Sequence, residues 1–584
     1  MKKIFTILSI ALLSAQAIFA VPAKPGKVAY KQPDGSVVMV ENHGDEHGHW
    51  MTNEAGEAVK IGKDGFLRRM DQSELASIFD TAVKTRSEAD ENRIARASVT
   101  TGSIKVPVIL VEFKDKSFVI DNPVSAFNNL LNKEGYSSNG ASGSVRDFYS
   151  DNSNGNFIPE FDVYGPVQVS DSSSYYAGSS GTDRAYVAFR EACKLMNSTI
   201  DFSQYDSDGD GYVDMILFYY AGYNQAEGGG VYNKDCIWPH ESSLYAGPYD
   251  GKYIGKYSCT SELKGYTGSS MCGIGTACHE LGHALGLPDM YDTNYETNGS
   301  AGGLYTFSTM CSGSYNNDGR TPPFFNIEER IFLGWNTVDD IEEITTGGTY
   351  TLPAFNVGSH KAYKTATTTD NEYFVYECRG ANSWDTAIGA SGMVVYHVDK
   401  SNRSITIDYR NVKVSTLWGS NWESYNGINK NGSHPCFYIV PAADQENLNY
   451  TGSEYKMVFP GVGSSKVTDF QAVDWEGEKS DFVLSDIKYS SKTSTFKIDV
   501  SGMEDIGFNY IYNPGKGTYS VGTKLPLILV KTASEAPSTV TWYYDGTKTT
   551  QSEITLTSGS HTIVAQLTYS DGSTGRIKLV VTVN

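Results

Sequence analysis

Two histidines four residues apart, with a glutamate beside the first, stand in His279-Glu280-Leu281-Gly282-His283. On a helix this spacing puts both imidazoles on one face, one turn apart, where their ring nitrogens can reach a single ion. Glu280 then stands beside that ion without binding it, close enough to take a proton from a water and return it to a leaving group. The stretch runs on as Ala284-Leu285-Gly286-Leu287-Pro288-Asp289. Gly286 lets the chain turn sharply out of the helix, and Asp289 then brings a third, oxygen ligand, with Asp292 as the alternative. Three protein ligands leave a fourth position for water, and a His/Asp donor set favours zinc over iron–sulfur chemistry. The bland alternative is two histidines and a carboxylate on an ordinary helix face. It leaves Gly286 and Asp289 unexplained.

A second pattern lies upstream, in Asp206-Ser207-Asp208-Gly209-Asp210-Gly211-Tyr212-Val213-Asp214. It has carboxylates at positions 1, 3, 5 and 9 of a calcium loop, Gly at 6, and Tyr212 at 7, where the backbone carbonyl is the ligand. Position 12 is Leu217 and an apolar strand follows. A structural Ca²⁺ loop outside an EF-hand is therefore expected, against the competing reading of an Asx-rich turn without an ion. His43, His47 and His49 cluster with Asp45 and Glu46, where a polar turn is favoured over a second metal site. No Cys precedes Cys193, so if this segment inhibits a metal centre, Asp45, Glu46 or a histidine must do so.

These residues need elements to hold them. At 584 residues the chain exceeds one hydrophobic core. The net charge of −21 argues against nucleic acid or an anionic membrane as partner. Lys2 and Lys3, an apolar run from Ile4 to Leu13, and small residues at Ala15-Gln16-Ala17 or Ile18-Phe19-Ala20 read as a secretory leader. The run is too short to span a bilayer, which takes about 20 residues, so an exported protein without a transmembrane segment is expected. Residues 21 to about 70 alternate as short strands, and a helix from about Gln72 to Ala97 carries basic residues at Lys84, Arg86, Arg93 and Arg96. That arrangement reads as a removable pro-segment or an ordinary N-terminal domain. Strands are expected at Val106–Phe113 and Met215–Tyr220, with helices at 123–133, 144–150 and 183–196. Beyond Gly347 the pattern is strand upon strand, and from about Met503 it becomes a small β-sandwich with Trp542 as its core aromatic. The eight cysteines suit one or two disulfides, the rest being buried thiols.

Downstream, Ser308-Thr309-Met310-Cys311-Ser312-Gly313-Ser314-Tyr315 resembles the Met-bearing turn beneath the zinc of metzincin peptidases, with Met310 as a packing residue. Tyr315 either helps polarise a scissile carbonyl or serves as an aromatic wall. The chain as a whole resembles the immune inhibitor A-like secreted bacterial metallopeptidases over much of residues 21 to about 500. The likeness rests on Val108 to Phe113, Ser144 to Tyr149, the aspartate loop, Ile237 to His240, the zinc stretch through Asp292, Leu333 to Trp335 and Gly392 to Asp399. It implies a multidomain α+β protein: a signal peptide at 1–20, a pro-domain at 21–100, and a metzincin-like catalytic domain at 101–345 binding zinc and calcium. It also implies a β-rich domain at 346–500; the Ig-like β-sandwich at 501–584 lies beyond the likeness and rests on the strand and turn spacing alone. Cys278 and Cys311, which flank the motif and Met310, are departures on which the family is no guide.

The expected function is a secreted zinc metalloendopeptidase acting on proteins or peptides through metal-activated water, with Glu280 as base and acid. The terminal sandwich offers a contact for a cell surface or a host protein. An exported binding protein with a vestigial site is the rival, disfavoured because such a site would keep its ligands but not Glu280. Hydrolysis of a non-peptide amide is a third reading of the same residues.

Overall fold

The computed structural model describes residues 18–92, 98–295, 301–402, 404–409, 412–417, 421–422, 427–462, 466–500, 510–514, 518–530, 537–570 and 574–584. The start and apolar run of the expected leader, and residues 93–97 at the end of the expected helix, lie outside them. Among the described residues no helix is long and apolar enough to cross a membrane.

After a two-residue strand β1 (Ile18–Phe19), an antiparallel meander runs through β2 (Lys27–Lys31), β3 (Val37–Gly44), β4 (His49–Asn53), β5 (Ala58–Ile61) and β6 (Leu67–Arg69). Helix α1 (Gln72–Asn92) follows. It docks Phe79 and Ala82 beside Trp50 and Tyr295, so the N-terminal segment is packed onto the rest of the chain.

The central unit is a six-stranded mixed sheet in the order β1-β10-β11-β9-β7-β8. Its strands are β7 (Gly102–Glu112), β8 (Phe157–Gln168), β9 (Leu217–Tyr220), β10 (His240–Tyr249) and β11 (Lys252–Ser261). The continuous apolar run of β7 is what a strand covered on both faces requires. Ile104, Val106, Val108 and Leu110 face α2 (Pro123–Asn132), α3 (Val145–Asn152) and α6 (Gly275–Leu285). Ile109 and Val111, pointing the other way, face α4 (Ser173–Ala177) and α5 (Ala185–Met196). Strands β10 and β11 form a hairpin closed at Asp250-Gly251, both at positive φ, as a tight two-residue turn demands.

Two further sheets follow. One has five strands, the central pair being Glu372–Arg379 and Gly392–Asp399, and the other has four, including Lys479–Ser490 and Thr493–Val500. One face of the five-stranded sheet shares a core with the four-stranded one. The other face runs into the core beneath α6 through Val375, Val394, Tyr396 and Phe437. The last residues form a five-stranded sheet and small ribbons around Leu556, Ile563 and Val581, with Trp542 only half-buried at its edge. All eight cysteines are buried free thiols, which corrects the expectation of one or two bridges. They act as small core packers, and burial pushes the thiols of Cys193, Cys278 and Cys436 up, out of the reactive range.

One buried cation fastens the five-stranded sheet to the loops under the central unit. The Arg379 guanidinium donates to Asp385 at 2.7 and 2.9 Å and to Glu377 at 3.0 Å, and also to the Phe324 carbonyl at 2.7 Å. The same carboxylates accept from the backbone N–H of Phe324 and Ile327. Removing the cation leaves two buried carboxylates without their counter-ion, so Arg379→Met is expected to cost about 3–5 kcal/mol. Chemical denaturation would show this as an earlier midpoint; an unchanged midpoint would mean that the clamp holds nothing.

Candidate functional site

Helix α6 is buried along its whole length, which its sequence permits only by being small and apolar on every face except that of His279, Glu280 and His283. The two rings stand nearly perpendicular with centroids 4.6 Å apart. His279 Nε2 and His283 Nε2 approach to 2.9 Å, and Asp289 Oδ1 lies 3.3 Å from each. Each Nδ1 donates to a backbone carbonyl at 2.8 Å, that of Thr309 for His279 and that of Leu287 for His283. These bonds put the ring protons on Nδ1, so two imidazole lone pairs and one carboxylate oxygen converge on a single buried point. Three acceptors facing one another fit a cation, and carbonyls that hold the far ring nitrogens are what oriented metal-binding histidines require. Among the described residues this trio is one of two groups with metal-holding geometry.

The turn to Asp289 follows from Gly286. It closes α6 at φ 111°, where its N–H and that of Leu287 take up the last carbonyls of the helix. Asp292 is spent elsewhere, accepting from the backbone N–H of Asn294 and Ala301. Burial alone would push the Asp289 carboxyl up, but the two imidazoles hold it well below the usual range. Beneath the helix, the Met310 sulfur lies so close to Gly282 that a Cβ there would come within 2.5 Å of it. The Met310 carbonyl accepts from the Met290 N–H at 2.8 Å. The segment 308–311 therefore supports the histidines twice, through its Thr309 carbonyl and its Met310 side chain. Ser308 in turn bonds Glu329, whose carboxyl burial pushes up to about 7.

Glu280 is fully buried, and burial pushes its carboxyl well above the ordinary range, aided by Asp289, Glu46 and Glu241. Its Oε2 has no hydrogen-bond partner, while its Oε1 accepts from the Val21 N–H at 3.1 Å. Residues 18–24 lie across the centre. Strand β1 pairs antiparallel with the edge strand β10, Ile18 opposite Ser242 and Phe19 opposite Glu241. The Tyr291 hydroxyl then donates to the Ala20 carbonyl at 2.9 Å, Trp238 Nε1 to the Val21 carbonyl at 2.9 Å, and the Tyr315 hydroxyl to the Pro22 carbonyl at 2.7 Å. The Lys24 ammonium ends the row between Glu227 at 3.0 Å and Asp318 at 3.5 Å. Tyr315 thus touches the segment two residues beyond Ala20. Trp238 and Tyr291 had no assigned role in the sequence, because their partners lie more than 200 residues away.

The polar turn between β3 and β4 is also buried at this centre. Asp45 bonds the Tyr295 hydroxyl, Glu46 pairs with His47 at 2.9 Å, and the His49 ring lies tilted against Trp238. In the aspartate loop, Asp206, Asp208 and Asp210 bring one oxygen each into a common cluster. Asp206 Oδ1 is buried without a hydrogen-bond partner, although Lys252 holds Oδ2 at 2.6 Å. Asp214 stays outside that trio and accepts from the Ser207 N–H, and Tyr212 hydrogen-bonds through its N–H to Asp210.

If the Gly286 turn sets Asp289, Gly286→Val is expected to cost at least about 1–2 kcal/mol and to lower bound metal, because a branched side chain disfavours positive φ. Metal analysis with a thermal melt measures both. Unchanged metal content would detach the turn from the site.

Residues 94–333 match the family model described as immune inhibitor A peptidase M6, catalytic domain. The pre-pro-metalloprotease PrtV of Vibrio cholerae serotype O1 is 29% identical over 222 residues, covering 32% of this chain and 23% of that protein. Immune inhibitor A of Bacillus thuringiensis subsp. alesti is 30% identical over 165 residues, covering 24% and 23%. The chain thus spans about a quarter of the length of these curated relatives. Among solved structures, wild-type OgpA from Akkermansia muciniphila overlaps 84% of this chain and 96% of its own at 10% identity, with a TM-score of 0.24. Such an overlap does not establish a common fold.

Proposed function

Through residues 94–333 the chain belongs to the immune inhibitor A peptidase M6 family, and on that premise we propose that it is a secreted zinc endopeptidase of metzincin-like type. His279, His283 and Asp289 hold the metal, and Glu280 moves the proton. The observation that carries this reading is the convergence of two tautomer-fixed imidazoles and a carboxylate beside a second, buried carboxylate. Bound there, zinc would supply Lewis-acid polarisation and an acidified water. Glu280 takes the proton as the water oxygen bonds to the carbonyl carbon, then gives it to the amide nitrogen as the C–N bond breaks. The products are a carboxylate and a free amine. Burial supports this double role, since it raises the affinity of the carboxyl for the proton that it must take and return.

We read the segment before about residue 100 as a pro-segment, because it fills the groove that a substrate needs. The word pre-pro in the name of the Vibrio relative is in keeping with that. We also assign a structural Ca²⁺ to Asp206, Asp208 and Asp210, supported by the buried, partnerless Asp206 oxygen, with the Tyr212 carbonyl and Asp214 as its further ligands. The last sheets we read as an Ig-like accessory with no part in the chemistry.

Glu280→Ala is expected to lower casein cleavage by about 10²–10⁴-fold while keeping one zinc per chain by metal analysis, since Glu280 is not a ligand. Cleavage at the wild-type rate would refute the mechanism, and a chelator-insensitive wild type would refute the metal. For calcium, millimolar Ca²⁺ should raise the melting temperature of the wild type and leave Asp206→Asn unmoved. Equal shifts in both would empty the assignment.

A further inference from the structure

A peptide bond in the act of hydrolysis needs two things from the protein at once. A proton carrier must stand at its nitrogen, and a hydrogen-bond donor at its carbonyl oxygen, where negative charge develops. In a trans peptide these two atoms point to opposite sides of the same plane. The bond between Ala20 and Val21 is held in this way at both ends. Its N–H donates to Glu280 Oε1 at 3.1 Å, and its carbonyl accepts from the Tyr291 hydroxyl at 2.9 Å. Glu280 is fully buried and Tyr291 nearly so. The flanking groups go elsewhere: the next two carbonyls to Trp238 and Tyr315, the Ala23 N–H to the Gly44 carbonyl, and the Lys24 N–H to the Ala226 carbonyl.

We infer that residues 18–24 lie in the groove in the register of a substrate, with Ala20–Val21 at the reacting position, and that Tyr291 is the catalytic residue that polarises the scissile carbonyl. This rests on the proposed peptidase reading. Tyr291 donates without giving up its proton; the proton that reaches the leaving nitrogen comes from the water by way of Glu280. Trp238 and Tyr315 position the leaving side of the peptide through its first and second carbonyls. The Glu227–Asp318 pair forms an acidic subsite for the side chain four residues beyond the scissile carbonyl, occupied by Lys24. The register belongs to the groove and holds whether the leader is cut after Ala17 or after Ala20. In the second case Val21–Lys24 keeps the leaving side.

The test uses the full chain, expressed, secreted, processed and loaded with zinc, as wild type, Tyr291→Phe and Glu280→Ala. Tyr291→Phe is expected to lower kcat by about 10²-fold, the usual cost of one lost oxyanion donor, with KM within twofold and zinc content and melting temperature unchanged. Wild-type kcat in Tyr291→Phe, together with an inactive Glu280→Ala, overturns this assignment and leaves the peptidase reading intact. Activity in Glu280→Ala removes both. A second measurement needs no variant. A synthetic peptide of residues 16–27 should be cut by the wild type between Ala20 and Val21, about tenfold less efficiently when Lys24 is replaced by Glu. Scission at another bond, or indifference to the Glu replacement, overturns the register.

Discussion

Three acceptor atoms pointing at one buried spot are an unstable arrangement unless a cation sits among them. Lone pairs on His279 Nε2, His283 Nε2 and Asp289 Oδ1 face one another within 3.3 Å, and burial leaves their repulsion poorly screened. Much of the neighbouring structure serves to keep that arrangement in place. The Thr309 and Leu287 carbonyls fix the tautomers, Gly286 turns the chain back, and Met310 fills the space left by the missing side chain of Gly282. The chain just ahead of Thr309 and Met310 is itself tied to the five-stranded sheet through Arg379, which bonds the Phe307 carbonyl. A site of three atoms thus reaches into the core of the following domain.

The second constraint is the open edge of the central sheet. An unpaired edge strand offers a row of backbone donors and acceptors to any extended chain. In this protein β10 is that edge, and residues 18–19 take it. The segment that follows is held almost entirely by its own backbone, through aromatic donors at successive carbonyls. Recognition of that kind tolerates many side chains. The charged exception along the segment is Lys24, held between Glu227 and Asp318.

The convergence of His279, His283 and Asp289 was legible because helix geometry converts a sequence interval directly into a distance, and a glycine at the helix end converts into a turn. His279, Glu280 and His283 needed nothing else. The aspartate loop was legible in part: Asp206, Asp208 and Asp210 converge, but Asp214 is drawn to the Ser207 backbone. Local boundaries failed where a side chain found another partner. Asp183 was expected to open helix α5, yet it accepts from Ser179 and Ser180, and the helix starts at Ala185. In the terminal sheets one strand ends at Pro526 and the chain resumes as strand only at Leu529, because proline cannot donate to a ladder. Tyr291 and Trp238 were invisible because their role exists only when residues 20 and 21 arrive from the far end of the chain. The same holds for Tyr315: its place after Met310 suggested the scissile carbonyl, but its hydroxyl meets Pro22 instead.

Base and groove are set by a single strand. Ser258 on β11 stands opposite Glu241 on β10, and Glu241 stands opposite Phe19. The Ser258 hydroxyl also donates to the Glu280 carbonyl at 3.0 Å. A line therefore runs Phe19, Glu241, Ser258, Glu280, made of two strand spacings of about 4.8 Å each and one hydrogen bond. Neither the helix carrying the base nor the edge carrying the peptide can shift without moving β11, which parallel β9 holds from its other side. A chain that pairs with Glu241 through one residue must then pass its next peptide bonds across Glu280. The position of the Ala20–Val21 bond beside Glu280 is a consequence of sheet spacing, and the side chains around it only grip what the sheet has delivered.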